Sequence, residues 1–93
     1  MVLSNEPGYY VAGKWGIRLE NLVAISPLSD GYLGCETLTL VPFESKLIDK
    51  DILSQEALSW LDEYHRNVYQ TVSPHLSDEL RGFLATKCAP LLR

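Results

Sequence analysis

Residues 4–25 read SNEPGYYVAGKWGIRLENLVAI, and the fold turns on this stretch. Its second half, IRLENLVAI at 17–25, is rich in branched apolar residues and alternates as a β-strand does. Ile17, Leu19, Asn21, Val23 and Ile25 share one face; Arg18, Glu20, Leu22 and Ala24 share the other. The first face is almost wholly apolar, while the second puts an arginine and a glutamate side by side. Upstream, residues 1–4 read as the end of a strand. Glu6-Pro7-Gly8-Tyr9 reads as a type II turn, with proline at the second position and glycine at the third, where positive φ is required. Proline also restrains Glu6 to extended geometry, which gives its side chain a defined direction. Residues 11–16, VAGKWG, read as a loop.

Further along, SPLSDGYLG is a Pro/Gly/Ser/Asp loop. CETLTLVPF, 35–43, alternates Glu36, Leu38 and Leu40 against Thr37, Thr39 and Val41, and so predicts a strand stopped by Pro42. The period then changes. Ser54 is a good N-cap with Glu56 in the first turn, and Leu58, Leu61, Tyr64 or His65, Val68 and Val72 recur at three and four residues. This predicts an amphipathic helix over about 55–72, ended at Ser73-Pro74. Ser77 caps a second helix with an apolar stripe of Leu80, Phe83, Leu84 and Cys88, closed by Pro90. The expected class is α+β: a short antiparallel sheet of about three strands followed by two helices.

Composition excludes several kinds of function. The 93 residues fit one small domain, 46% hydrophobic and 22% charged, with a net charge of −4. An acidic chain lacks the basic footprint of a nucleic-acid binder. No apolar run approaches the roughly 20 residues of a membrane span. The start of the chain lacks the basic and apolar regions of a signal peptide, so a cytoplasmic location is expected. Two cysteines, Cys35 and Cys88, show no CxxC spacing and read as reduced thiols. His65 and His75 are not paired at zinc-ligand spacing. His65 falls on the helix stripe and reads as a structural histidine; His75 follows Ser-Pro in a loop.

Two carboxylates remain to be explained. If the strand before Glu6 pairs antiparallel with 17–25, Glu6 and Glu20 reach one site. Such a pair suits acid/base chemistry, or a hard, oxygen-preferring ion such as Mn²⁺ or Mg²⁺. Arg18 points to the same face as Glu20 and could orient a ligand carboxylate. The plain alternative is a solvated glutamate after a loop and an Arg–Glu surface pair worth under about 1 kcal/mol. Two carboxylates alone are too few for a two-metal site, and no His or Asp near 6–20 completes the set. Tyr9, Tyr10, Trp15 and Tyr32 surround this segment as packing or as pocket walls; Trp60, Tyr64 and Tyr69 belong to the helix stripe or its flanks.

SNEPGYY followed by GIRLEN resembles the last two metal-ligand motifs of the pita-bread metallopeptidases. ETLTLVPFESKLID and the helix LSQEALSWLDEYH are similar to the C-terminal tail of the Xaa-Pro aminopeptidases (aminopeptidase P) in that family. The resemblance covers essentially the whole chain. It implies the C-terminal part of a pita-bread fold, with residues 1–44 as catalytic-domain strands and 45–93 as a helical tail. It implies that Glu6 binds one metal and acts as base toward the nucleophilic water, and that Glu20 bridges two metals, usually Mn²⁺. Tyr10 and Arg18 match a tyrosine and an arginine that hydrogen-bond around a ligand aspartate. The aspartate and histidine ligands of the family have no counterpart here, so the site is incomplete and the 93 residues alone are expected to be inactive. The implied partners are the remainder of the catalytic domain, peptides with proline in second position and a second copy in a homodimer. The alternatives are a self-associating module and a metal-free, peptide-binding relative.

Overall fold

A computed structural model describes residues 1–91. The chain divides into two compact units, Met1–Thr39 and the segment from Leu40 onward. The first holds β1 (Val2–Asn5), β2 (Gly8–Val11), β3 (Trp15–Arg18), β4 (Asn21–Pro27) and β5 (Leu33–Thr37). The order β1-β4-β5 makes a three-stranded antiparallel sheet, and β2-β3 a two-stranded one.

One register runs through both. Val2 faces Ala24, Asn5 faces Asn21, Gly8 faces Arg18 and Val11 faces Trp15, so the two numbers of every pair add to 26. The two sheets are therefore one antiparallel arm with a gap in its hydrogen bonds. Pro7 is the cause. It has no N–H to give, so its pairing with Leu19 keeps a single bond, Leu19 N–H to the Pro7 carbonyl at 3.1 Å.

The first unit corrects the reading from sequence in four places. The strand expected over 17–25 is two strands, with Leu19 and Glu20 in the gap between them. No type II turn forms at residues 6–9: among the described residues the only glycines at positive φ are Gly13 and Gly31, and Gly8 opens β2. The segment taken as a loop, 11–16, is instead the tip of a hairpin. Lys14 N–H donates to the Val11 carbonyl at 3.0 Å, and Gly13 supplies the positive φ of 70° that the turn needs. The strand expected at 35–43 also starts and stops earlier, at Leu33 and Thr37. Leu38 and Thr39 still hold Leu22, whose N–H donates to the Thr39 hydroxyl at 2.7 Å, but the chain then leaves the sheet well before Pro42.

The second unit carries the core. Helix α1 (Gln55–Val72) is capped by Ser54 Oγ, which accepts the Ala57 N–H, and α2 (Asp78–Lys87) by Ser77 Oγ, which accepts the Leu80 N–H. Both caps and the span of α1 follow the sequence expectation; α2 ends at Lys87, earlier than the expected stop at Pro90. Tyr64, Val68 and Leu84 form the buried cluster, with Leu40, Phe43, Tyr69, Val72, Leu76 and Cys88 packed on it. Leu80 and Phe83, expected in the stripe of α2, are exposed, because ten residues turn only Leu84 and the Cys88 cap inward. Arg81 ties α2 to the preceding 3₁₀ turn (Ser73–His75), donating to the carbonyls of Ser73 and Leu76. Cys35 is exposed and Cys88 half-buried; both are free thiols.

Residues 40–43 are held on α1 by side chains rather than by a strand. The Tyr64 hydroxyl donates to the Val41 carbonyl at 2.9 Å and accepts the Val41 N–H at 3.3 Å. His65 is wholly buried, and its Nε2 accepts the Phe43 N–H at 3.1 Å. An Nε2 that accepts must be unprotonated, so the neutral ring carries its proton on Nδ1, which meets no partner among the described residues. Burial pushes the His65 pKa below its ordinary 6.5, with Asp62 opposing.

Two outcomes are expected. The unfolded chain takes up a proton at His65 before the folded one does. Stability of the helical unit should therefore be full above about pH 6.5 and fall progressively as pH drops below it, as read by denaturant melts between pH 7.5 and 5. His65→Leu should flatten that acid limb. Tyr64→Phe leaves the Val41 amide and carbonyl without their hydroxyl partner and should cost about 1–2 kcal/mol at any pH in that range.

Candidate metal centre

The common register settles where the expected site residues lie. Leu19 N–H to Pro7 and Ile25 N–H to Met1 mark the odd-numbered residues of the first strands as hydrogen-bonded pairs. The even-numbered ones are then the narrow pairs, whose side chains approach most closely, about 4.5 Å between Cα atoms. Neither Glu6 nor Glu20 is itself in a paired strand, but the register carried across the proline gap, with Leu19 N–H on the Pro7 carbonyl beside them, sets them opposite one another at a narrow position. Asn5 opposite Asn21 precedes them and Gly8 opposite Arg18 follows the next pair. The alternation that carries Glu6 to this face also carries Gly8 and Tyr10; on the other strand it carries Gly16 and Arg18.

Four side chains named from sequence thus share one face of the arm: Glu6, Tyr10, Arg18 and Glu20. Arg18 Nε–H donates to the Tyr10 hydroxyl at 3.0 Å. Arg18 is held above its usual pKa first by that hydrogen bond with Tyr10, then by the nearby carboxylates of Glu6 and Glu20. Neither carboxylate is engaged in a salt bridge or a side-chain hydrogen bond among the described residues, so both stay available.

The remaining aromatics divide. Tyr9 and Trp15 pack together, ring centroids 5.6 Å apart, but they are odd-register residues and lie on the opposite face from the carboxylates. They do not wall this site. Tyr32 stands outside the strands and is exposed. His65 and His75 both belong to the other unit, His65 in its core as expected and His75 exposed in the 3₁₀ turn.

The donor chemistry of the face fits a hard divalent cation: two carboxylates, no thiolate and no imidazole. The number of ligands does not suffice. Among the described residues no group of three or more His, Cys, Asp or Glu side chains could hold an ion. Glu6 and Glu20 are two carboxylates on one face, with the Arg18 guanidinium on the same face.

Gly8 and Gly16 are the site-face residues that sequence reasoning passed over, one assigned to a turn and the other to a loop. A Cβ on Gly8 would lie 2.5 Å from the Tyr10 hydroxyl oxygen, and one on Gly16 would overlap the ring near Cδ1 and stand 3.0 Å from Cε1. The signal was present as a period of two, Glu6-x-Gly8-x-Tyr10 and Gly16-x-Arg18-x-Glu20.

Comparison with known proteins gives a consistent picture. The family described as the C-terminal region of peptidase M24 matches residues 31–91. A protein of Laccaria bicolor named "Probable Xaa-Pro aminopeptidase P" is 40% identical over 98% of this chain, which covers 16% of that protein. An Xaa-Pro aminopeptidase of Caenorhabditis elegans is 37% identical over 97% of the chain, again 16% of the relative. A crystal structure of X-prolyl aminopeptidase from Caenorhabditis elegans, described as a cytosolic enzyme with a di-nuclear active site, superposes with a TM-score of 0.79 at 34% identity. It covers 97% of this chain and 16% of that one. The chain spans about one-sixth of the length of these relatives. The α+β expectation, an antiparallel sheet followed by two helices as in the C-terminal part of a pita-bread fold, holds.

Directly opposed like charges destabilise a ladder by a few tenths to about 1 kcal/mol. Glu6→Gln or Glu20→Gln should therefore slow hydrogen exchange of the Leu19 and Ile25 amides in the metal-free chain. The effect should shrink as salt is raised. Unchanged or faster exchange at low salt would show that the two carboxylates do not face each other.

Proposed function

The chain belongs to the M24 peptidase family, and from that membership we propose that it is the C-terminal portion of a dinuclear-metal Xaa-Pro aminopeptidase. The whole enzyme removes the N-terminal residue from peptides with proline in second position. The observation that carries this reading is the register that sets Glu6 opposite Glu20, with Arg18 and Tyr10 on the same face.

Each side chain has a part that its position suits. Glu20, in the gap between β3 and β4, would hold metal as a carboxylate ligand shared by the two ions. Glu6, its backbone restrained by the proline that follows it, would be a ligand and the general base of the site. Arg18, fixed at Nε by Tyr10, keeps its remaining N–H groups for a carboxylate of the assembled site. Two Mn²⁺ ions, when bound, supply Lewis-acid activation of water and carbonyl. Residues 1–44 contribute the metal-site strands and 45–93 the helical tail.

The remaining ligands come from the rest of the catalytic domain, which is also the natural cover for the arm. No residue of 1–39 is buried, and Tyr9, Trp15 and Leu19 on the apolar face are 65%, 56% and 52% exposed. The compartment is the cytoplasm, as for the nematode enzyme. No helix among the described residues is long and apolar enough to cross a membrane. The same open face supports a second reading, in which the chain pairs with a copy of itself.

In the full-length peptidase, cleavage of an Xaa-Pro peptide should vanish on chelation and return with Mn²⁺. Glu6→Gln should lower kcat at least about 100-fold, the usual contribution of a general base. Cleavage that survives exhaustive chelation would overturn the metal assignment. The 93-residue chain with Mn²⁺ should release no N-terminal residue; measurable release would show a site complete within these residues. Sedimentation of the chain at a strictly monomeric mass would remove the self-pairing reading.

A further inference from the structure

Glycine within a strand needs a reason, because it costs about 0.5–1 kcal/mol in chain entropy and packs nothing. Gly13 and Gly31 have one in their positive φ, 70° and 86°, and a Cβ on either would meet nothing within 4 Å. Gly8 and Gly16 are different. Neither has positive φ, so the backbone asks for no glycine. What they provide is space, and in both cases one side chain fills it: the Tyr10 ring. Gly16 is the register partner of Tyr10; Gly8 precedes Tyr10 by two on the same strand and is the partner of Arg18.

We propose that Gly8 and Gly16 are positioning residues: a side-chain-free bed that lays the Tyr10 ring along the ladder, so that its hydroxyl takes Arg18 Nε–H and sets the guanidinium's remaining N–H groups toward the carboxylates of the assembled site. With a Cβ at either position the ring must lift. The hydroxyl, at the far end of the ring, then moves furthest, and Arg18 loses the contact that fixes its Nε. The Nη groups are the ones left to face a carboxylate, so a free Nε means an arginine with no set direction. The aim toward the carboxylates rests on the reading of the site given above. The bed itself rests only on the strand pairing and the ring.

An aromatic lying over a cross-strand glycine can also be a purely structural device. The test therefore reads Arg18, not stability alone. In ¹⁵N spectra of the metal-free 93-residue chain, Arg18 Nε–H should exchange more slowly than the exposed Arg66. Gly16→Ala and Gly8→Ala should each speed it by about tenfold, as should Tyr10→Phe, and Gly16→Ala on Tyr10→Phe should add nothing. Gly34→Ala is the control. Its Cβ would stand 2.8 Å from Leu28 Cδ2, comparable crowding on β5 against a different side chain, and Arg18 exchange should not change. Arg18 protection that survives a glycine substitution removes that glycine from the bed. Equal loss in Gly34→Ala overturns the proposal in favour of general weakening of the sheet. Should Gly16→Ala unfold the arm, Tyr10→Ala decides instead: without the ring, Gly16→Ala should turn from destabilising to stabilising, and a penalty that persists overturns the proposal. The readings are made without metal, so a failure of the metal assignment leaves them intact and is detected separately by chelation of the full-length enzyme.

Discussion

A single antiparallel register, in which paired residue numbers add to 26 from Val2–Ala24 to Val11–Trp15, is the constraint on which the first unit depends. Side chains alternate with a period of two, so one register fixes both faces along the whole arm. It collects Glu6, Tyr10, Arg18 and Glu20 on one side and leaves Leu3, Tyr9, Trp15, Ile17 and Leu19 on the other. A slip of one residue would scatter the polar set and bury none of the apolar one. Pro7 breaks the hydrogen bonding without breaking the register, since it gives up a donor and keeps its carbonyl. The opposed carboxylates sit in that gap.

The two units are stabilised by different means. The second has a dry centre at Val68, Tyr64 and Leu84, capped helices and a salt bridge between Lys87 and Glu44 at 3.3 Å. The Glu44 carboxyl is pulled below its usual pKa first by accepting the Lys46 N–H and then by Lys87. Tyr64 and His65, adjacent on α1, satisfy backbone groups of residues 41 and 43 that a neighbouring strand would otherwise pair. The first unit buries no residue at all. It has hydrogen bonds and register but no apolar interior, and the apolar side chains that would make one are exposed.

The residues of the carboxylate face are placed against local stability. Two glutamates face each other across a narrow pair, where like charges repel. Two strand glycines accept an entropic cost so that one tyrosine ring can lie flat. Arg18 offsets part of the charge repulsion, and a divalent ion would reverse it. Each of these choices costs the sheet stability that it could have kept with other residues.

Much of this was legible in the sequence, because local physics sufficed. Ser54 and Ser77 named the helix starts, since a side-chain oxygen at the N-cap needs only the next turn. The three- and four-residue spacing from Leu58 to Val72 named the buried face of α1. The period-two pattern of Ile17–Ile25 placed Arg18 and Glu20 together before any partner strand was known. What the sequence left open was decided by pairing across the chain. Glu6-Pro7-Gly8 satisfies the local rules for a type II turn, and only the opposite strand, offering Leu19 N–H to Pro7 and Arg18 to Gly8, keeps it extended. The same pairing turned a glycine-containing loop into a hairpin, divided one expected strand into two and sent Tyr9 and Trp15 to the face away from the carboxylates. Residue type and spacing express preferences over a few neighbours. Which of two permitted backbone states is adopted, and what a side chain finally faces, depends on a partner many residues away that no local pattern encodes.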